Sequence, residues 1–269
     1  MESLVTYVLA GGRGERLRPL TARRAKPVVP FAGRRLIDFT LESCARSGLR
    51  RVTVLTEHRA ATVGRHVRAH WGDLARVLPS RACGRRFRGT ADAVRAALAR
   101  EPEGDRVLVL AGDHVYAADY RWLLATHLMA DAELTLSAIR VTPAEARGLG
   151  LLEFGADGLV SAFREKPRDP PAAPLASMGI YLFERRALED ALRAHPDAMD
   201  FGHDLLPRLI AGGWRVAARP FTGPWRDIAD VDAYFEAHLP YRGHGSNYIW
   251  PHASIAPDAQ VEESIVLNG

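Results

Sequence analysis

Short apolar runs alternate with amphipathic stretches through the first half of the chain. Leu4–Ala10, Arg51–Thr56, Val107–Ala111 and Leu134–Val141 are compact and partly β-branched, and they predict buried strands. Leu36–Ser47, Ala60–Trp71, Ala91–Arg100 and Tyr120–Ala130 carry apolar residues at helical spacing. Such alternation predicts an α/β fold, a mostly parallel, Rossmann-like sheet flanked by helices. Residues 150–183 turn to shorter strand-like runs. Helices are expected near Arg185–Ala194 and Asp204–Ala211, a strand at Arg215–Phe221, and a helix at Val231–Leu239.

The pattern changes after residue 239. A Gly- and Pro-containing linker over 240–248 leads into Ile249, Ile255, Val261 and Leu267, one aliphatic residue in every six. Ala253, Ala259 and Ile265 hold the fifth place of each hexad, and Pro251 and Pro257 the third. That period predicts the start of a parallel β-helix over 249–269. A solenoid buries a core only when several repeats stack, so this segment is not expected to stand alone. It either belongs to a truncated version of something longer or packs on the main domain or a partner subunit. An uncapped coil exposes hydrogen-bonding groups, which leaves a homo-oligomer open.

Composition narrows the class. The 269 residues are 47% hydrophobic and 25% charged, as in ordinary globular proteins. The net charge of +4 is spread over scattered arginines in short pairs such as Arg23-Arg24, Arg34-Arg35 and Arg85-Arg86, so nucleic-acid binding is not expected. Cys44 and Cys83 are too few for a disulfide framework or zinc cluster, which suits a reducing cytosol. Leu4–Ala10 is too short for a signal h-region or a membrane span, so a cytoplasmic location without a membrane partner is expected. Of the 36 basic residues, only Lys26 and Lys166 are lysines, and each precedes a proline. A lysine retained amid so many arginines is a candidate for a place where a compact ammonium is needed instead of a wide guanidinium fork; survival by chance is the alternative.

The first predicted strand runs into Leu9-Ala10-Gly11-Gly12-Arg13-Gly14-Glu15-Arg16-Leu17-Arg18. Glycines after a strand let backbone N–H groups close on a phosphate with no Cβ in the way. The dinucleotide fingerprint requires glycine where Leu17 stands, and the P-loop requires a Gly-Lys-Ser/Thr that this loop lacks. What remains is a glycine loop rich in arginine, followed by Lys26; a plain strand-to-loop turn is the alternative. Asp113, in Ala111-Gly112-Asp113-His114, follows the third predicted strand, where open α/β sheets bind ligands. It is a candidate Mg²⁺ ligand together with Asp227 of Trp225-Arg226-Asp227, because Mg²⁺ takes one or two carboxylates plus phosphate oxygens and water. The alternatives are a turn role for Asp113 and a helix cap for Asp227.

Gly89-Thr90-Ala91-Asp92-Ala93 opens a predicted helix with Thr90 as N-cap, and its small residues also let a flat base approach the backbone. Glu165-Lys166-Pro167 offers a carboxylate for sugar hydroxyls and an ammonium for a phosphate, and Ser177-Met178-Gly179 adds a hydroxyl.

In this order, these segments resemble the glucose-1-phosphate adenylyltransferases (ADP-glucose pyrophosphorylases) of the sugar-nucleotidyltransferase family. The likeness spans about Leu4 to Leu239, and the hexad tail is similar to the family's left-handed β-helix. The resemblance implies a nucleotide-diphospho-sugar transferase fold with 1–239 as the catalytic domain. It further implies formation of an NDP-sugar and pyrophosphate from an NTP, ATP foremost, and glucose 1-phosphate, with Mg²⁺, as in glycogen biosynthesis. Arg16 would then hold the β,γ-phosphates, Lys26 would sit near the reacting phosphates, and Asp113 and Asp227 would hold Mg²⁺. Leu9, Ala10, Gly11, Gly12, Gly14, Gly89, Thr90 and Asp92 would surround the nucleotide; Gly150, Glu165, Lys166 and Ser177 would surround the sugar phosphate.

The sequence also departs from the family. Ser80-Arg81-Ala82 follows Leu78-Pro79 where glutamines that contact adenine are frequent, which leaves the base open. His203 replaces lysine in Asp200-Phe201-Gly202-His203-Asp204, so the sugar side differs too. Arg23 stands for an activator-binding lysine, and Glu57-His58 for a Gln-Tyr pair; with most of the β-helix missing as well, allosteric control is expected to be altered or absent. Two other readings therefore stay open: a nucleotidyltransferase for another sugar or cyclitol 1-phosphate, and a catalytically weakened regulatory subunit.

Overall fold

The structure is a computed structural model and describes residues 3–101, 104–241, 248–249, 253–256, 259–261 and 264–267. β1 (Leu4–Leu9) is followed by a short hairpin of β2 (Pro30–Phe31) and β3 (Arg34–Arg35), then α1 (Leu36–Arg46), β4 (Val52–Thr56) and α2 (Ala60–His70). Next come β5 (Ala75–Pro79), α3 (Thr90–Leu98), β6 (Arg106–Ala111), β7 (His114–Tyr116), α4 (Tyr120–Met129) and β8 (Leu134–Arg140). The chain continues through α5 (Pro143–Ala146), β9 (Gly150–Phe154), β10 (Val160–Glu165), β11 (Leu175–Glu184) and α6 (Arg185–Ala194). A π-helical turn at Phe201–Leu205 leads to α7 (Leu206–Ala211), β12 (Val216–Pro220), β13 (Trp225–Asp227) and α8 (Val231–His238). β14 (Tyr248–Ile249) and β15 (Ile265–Val266) lie in the tail.

The main sheet has the order β10-β9-β11-β6-β1-β4-β5, with β8 paired to β11 and β12 to β8. It is mixed but mostly parallel, as expected. β1 runs parallel to β4 and β6, β4 to β5, and β8 to β12, whereas β11 is antiparallel to β6 and β8. The reversal starts in the β9–β10 hairpin. There Gly158 takes a φ of 78° and the Gly155 N–H donates to the Leu159 carbonyl at 2.9 Å. No helix intervenes before β11 to turn the chain back, and parallel neighbours need such a crossover.

The central strands are apolar on both faces. Val107 and Val109 of β6 join Val5 and Tyr7 of β1 in one core, covered by Val94 and Ala97 of α3 and Leu188 and Leu192 of α6. Leu108 and Leu110 join Val8 in the other, covered by Ile37 and Leu41 of α1 and Val63 and Val67 of α2. Strands buried on both sides read as continuous hydrophobic runs, which is why their positions were legible. The carboxyl ends of β1, β4 and β6 share one edge, where the chain leaves the sheet as Ala10-Gly11-Gly12, Glu57-His58 and Gly112-Asp113.

In the tail, Tyr248 pairs with Ile265 and Ile249 with Val266 in parallel, while Ile265 and Leu267 pack against a small cluster of the main domain. Two paired residues fall short of a coil. Residues 242–247 of the expected linker, and Pro251 and Pro257 of the hexads, lie outside the described residues.

Candidate active site

Gly14 sets the shape of the first loop. It takes a φ of 61°, and a Cβ there would lie 2.9 Å from Lys26 Cβ and 3.1 Å from Thr21 Cγ2. Only glycine accepts both the left-handed backbone and the close approach. The Thr21 hydroxyl donates to the Gly14 carbonyl at 2.8 Å, folding the loop back onto the short 3-10 turn Lys26–Val28. Lys26 is thereby held at the sheet edge.

Two carboxylates converge on Lys26. Its Nζ lies 2.7 Å from Asp113 Oδ2 and 3.7 Å from Asp227 Oδ1, with the lysine side chain 12% exposed. The two aspartates meet because β13 pairs antiparallel with β7, setting Asp227 opposite His114. Burial alone would lower the Lys26 pKa, but Asp113 and Asp227 outweigh it and hold the ammonium above its ordinary value. Burial likewise opposes the Asp113 carboxylate, yet Lys26 and His114 outweigh it and keep its pKa below the usual carboxylate range. His114 donates from Nδ1 to the Met178 carbonyl at 3.0 Å, and its Nε2 lies 3.6 Å from Asp227 Oδ1 and 3.8 Å from Asp113 Oδ1. The cap alternative for Asp227 fails, because Asp230 caps α8 by accepting from the Ala233 N–H at 2.9 Å.

Beside this cluster lies a cleft of about 410 Å³. Leu9, Gly11, Gly12, Gly89 and Thr90, five of the residues expected around a nucleotide, line it together with Asp113, whereas Gly14 is not among the described residues of its lining. Ala10 is buried behind the wall, its N–H donating to the Leu55 carbonyl at 2.8 Å, and Arg16 stays exposed in the turn Glu15–Leu17. Gly89 is required by packing: a Cβ there would fall 2.3 Å from the Met199 carbonyl oxygen. That oxygen accepts from the Ala91 and Asp92 N–H groups at 2.9 and 3.2 Å, so a remote carbonyl satisfies the start of α3. Gly89, not Thr90, is therefore the N-cap residue. The Thr90 hydroxyl instead donates to Asp200 Oδ2 at 2.9 Å and accepts from the Phe201 N–H at 2.9 Å.

Asp92 has a different place from the one its motif suggested. It is 1% exposed and absent from the described residues that line the cleft. Arg85 grips both its oxygens at 2.6 and 2.9 Å, Arg95 reaches Oδ1 at 3.2 Å, and the Arg88 N–H donates to Oδ2 at 2.9 Å. Burial would raise its pKa, but Arg85 and Arg88 outweigh it and hold the carboxyl below the usual range. In this arrangement Asp92 anchors the loop before α3.

The remaining residues gather at a second cluster. Gly150 opens β9 opposite Glu165 of β10, and Lys166, with a φ of 47°, places its Nζ 3.2 Å from Glu165 Oε1. The turn Asp200–His203 crowds the same carboxylate, since a Cβ on Gly202 would lie 2.8 Å from Glu165 Oε2. Asp200 lines the cleft and caps this turn by accepting from the Gly202 and His203 N–H groups, so it joins the two clusters. Ser177 lies near a bulge in β11, its hydroxyl accepting from the Gly179 N–H at 3.3 Å.

Asp200, Glu57, His58, Arg86 and Phe87 also line the cleft, and their role there was not read from the sequence. Glu57 accepts from Arg86 Nε at 2.7 Å and from the Phe87 N–H at 3.1 Å, tying the loop before α3 to the sheet edge. Its position directly after β4, at the carboxyl edge, was the available signal.

Residues 5–243 match the family model described as Nucleotidyl transferase. A glucose-1-phosphate adenylyltransferase 2 of Alkalilimnicola ehrlichii is 42% identical, the match covering 95% of this chain and 69% of the relative. A glucose-1-phosphate adenylyltransferase of Thermomicrobium roseum is 40% identical, covering 100% and 70%. A glucose-1-phosphate adenylyltransferase 2 of Vibrio cholerae is 38% identical, covering 89% and 66%. The chain thus spans about two thirds of the length of these relatives.

Proposed function

The chain belongs to the nucleotidyl transferase family, and from that premise we propose that it joins ATP to glucose 1-phosphate, releasing pyrophosphate and forming ADP-glucose. One observation carries the reading: Lys26, Asp113 and Asp227 converge at the carboxyl edge of the sheet, beside a glycine loop and a nucleotide-sized cleft. A phosphate oxygen of the sugar 1-phosphate attacks the α-phosphorus, the bond to the β-phosphate oxygen breaks, and pyrophosphate leaves. No covalent enzyme nucleophile is needed. The chain's contribution is alignment of the two substrates and neutralisation of charge. Lys26 holds its ammonium over the reacting phosphates, Arg16 faces the leaving pyrophosphate, and Glu165 and Lys166 orient the sugar phosphate.

The aspartates suit the divalent cation that this family generally uses. Both lie within 4 Å of the same Nζ, so the two carboxylates face one small space. Mg²⁺ takes one or two carboxylates, with phosphate oxygens and water completing its shell. Bound to Asp113 and Asp227, Mg²⁺ would supply Lewis-acid polarisation of the phosphates. Among the described residues no helix is long and apolar enough to cross a membrane. The segment 249–269 is, in this reading, the start of a left-handed β-helix, supported by the parallel β14–β15 pair.

Pyrophosphate release measured over four NTPs and a panel of sugar and cyclitol 1-phosphates tests the reading. ATP with glucose 1-phosphate is expected to give the highest kcat/KM. A different best pair would move the specificity, and silence in every combination would sink the enzyme reading.

A further inference from the structure

Lys26 has few rotatable bonds between it and the next fixed point of the chain. Pro27 and Pro30 each restrict φ, the Val29 N–H donates to the Lys26 carbonyl at 3.0 Å, and the Leu36 N–H donates to the Val29 carbonyl at 3.2 Å. The location of the Pro30–Ala32 turn therefore fixes the reach of the Lys26 ammonium. That turn is gripped by α8. The Tyr234 hydroxyl donates to the Pro30 carbonyl at 2.5 Å, and the Ala32 N–H donates to His238 Nε2 at 3.2 Å. Between them the Phe31 ring is fully buried, 4.0 Å from the His238 ring and edge-on to Tyr234.

His238 is fixed in one tautomer by its surroundings. Its Nδ1–H donates to the Tyr234 carbonyl at 2.9 Å, which leaves Nε2 as the acceptor for Ala32. Burial pushes its pKa down to about 4, so the ring stays neutral and the acceptor is present at neutral pH. Ala32 needs that acceptor, because its φ of 46° is a conformation non-glycine residues seldom adopt without support.

The same helix is tied to the other side of the site. α8 begins just after Asp227, through the fully buried Ile228 and the cap Asp230. Leu17, Val29, Val115 and Ile228 pack with Tyr234 in one cluster, and they are close neighbours in sequence of Arg16, Lys26, Asp113 and Asp227. Helix α8 thus holds Lys26 and Asp227 relative to each other. We propose that Tyr234 and His238 are positioning residues, which set the placement of the Lys26 ammonium by clamping the Pro30–Ala32 turn to α8. Neither touches the reacting atoms; both act through the turn. The effect on turnover rests on the function proposed above, whereas the effect on Lys26 itself does not.

The two lysines of this chain make the test unusually clean. Acylation of the full chain with an amine-reactive ester, read by peptide mass spectrometry, compares Lys26 with Lys166, whose side chain is 59% exposed and serves as internal reference. Three variants are compared with the wild type: Tyr234→Phe, His238→Leu, and His238→Gln, which keeps an acceptor near the place of Nε2. The expected result is faster Lys26 labelling relative to Lys166 in Tyr234→Phe and His238→Leu, with His238→Gln within twofold of the wild type. In those two variants kcat is expected to fall by on the order of tenfold with both KM values little changed, since small misplacement of a positioned group is costly. Thermal melts identify a variant that is merely unfolded, and if His238→Leu does not fold, Tyr234→Phe decides. Unchanged Lys26 labelling in the folded variants overturns the proposal. A wild-type chain without turnover would sink the function reading and leave the labelling comparison standing.

Discussion

Asp113→Asn is expected to lower kcat by a hundredfold or more, the scale on which removal of one preorganised charge acts. The amide keeps the shape of the carboxylate and removes its charge, so the change is electrostatic. Lys26 would lose the charge of its 2.7 Å partner and keep only that of Asp227 at 3.7 Å, letting the ammonium drift from its place over the phosphates. The same substitution removes one of the two carboxylates suited to a divalent cation. Because Lys26 and His114 outweigh burial to keep Asp113 ionised, its charge also contributes to the fold, and a modest drop in Tm is expected as well. Steady-state pyrophosphate release checks the rate and a thermal melt separates it from unfolding. Activity within threefold of the wild type would remove Asp113 from the site.

Lys26→Arg is the second large effect. The substitution keeps the charge and changes its shape. Lys26 runs against Gly14, with its ammonium beside two aspartates and only 12% of the side chain exposed. A planar guanidinium is wider than the ammonium and holds its charge in a fork, so it cannot enter the same space without displacing Asp113 or Asp227. Loss of that placement is expected to cost about a hundredfold in kcat, with the KM for ATP changed far less. A kcat equal to the wild type would show that any cation serves there, and that the survival of this lysine among so many arginines carries no chemistry.

The legible parts of the fold were those whose hydrophobic period matches their structure. The helix at Arg185–Ala194 and the strands starting at Leu4 and Val52 lie within a residue or so of the sequence reading. β5 was missed because it is an edge strand, with Arg76 exposed and Val77, Leu78 and Pro79 half-buried, and so carries no clean alternation. β7 and β13 were missed because three-residue strands are defined by pairing with each other, which no local period records.

The site follows the same logic. Lys26, Asp113 and Asp227 could be picked one at a time from loop positions, but their convergence depends on the β7–β13 pair and on the fold of the glycine loop. Thr90 was read as a cap because its motif opens a helix, whereas a carbonyl from Met199, far away in sequence, does that work. Asp92 shares the motif, and its bonds to Arg85, Arg95 and the Arg88 N–H are not visible in it. Long-range partners decide these roles, and one sequence does not show them.

The stereochemical course at the α-phosphorus tests the central claim most directly. Turnover of a single diastereomer of ATP carrying sulfur on the α-phosphate, followed by assignment of the product sugar nucleotide, reads the number of displacements. A single in-line attack by the sugar phosphate within the Lys26–Asp113–Asp227 cluster gives inversion, the expected result. Retention would mean two displacements through a covalent nucleotidyl-enzyme and would contradict a site that works by alignment and charge alone.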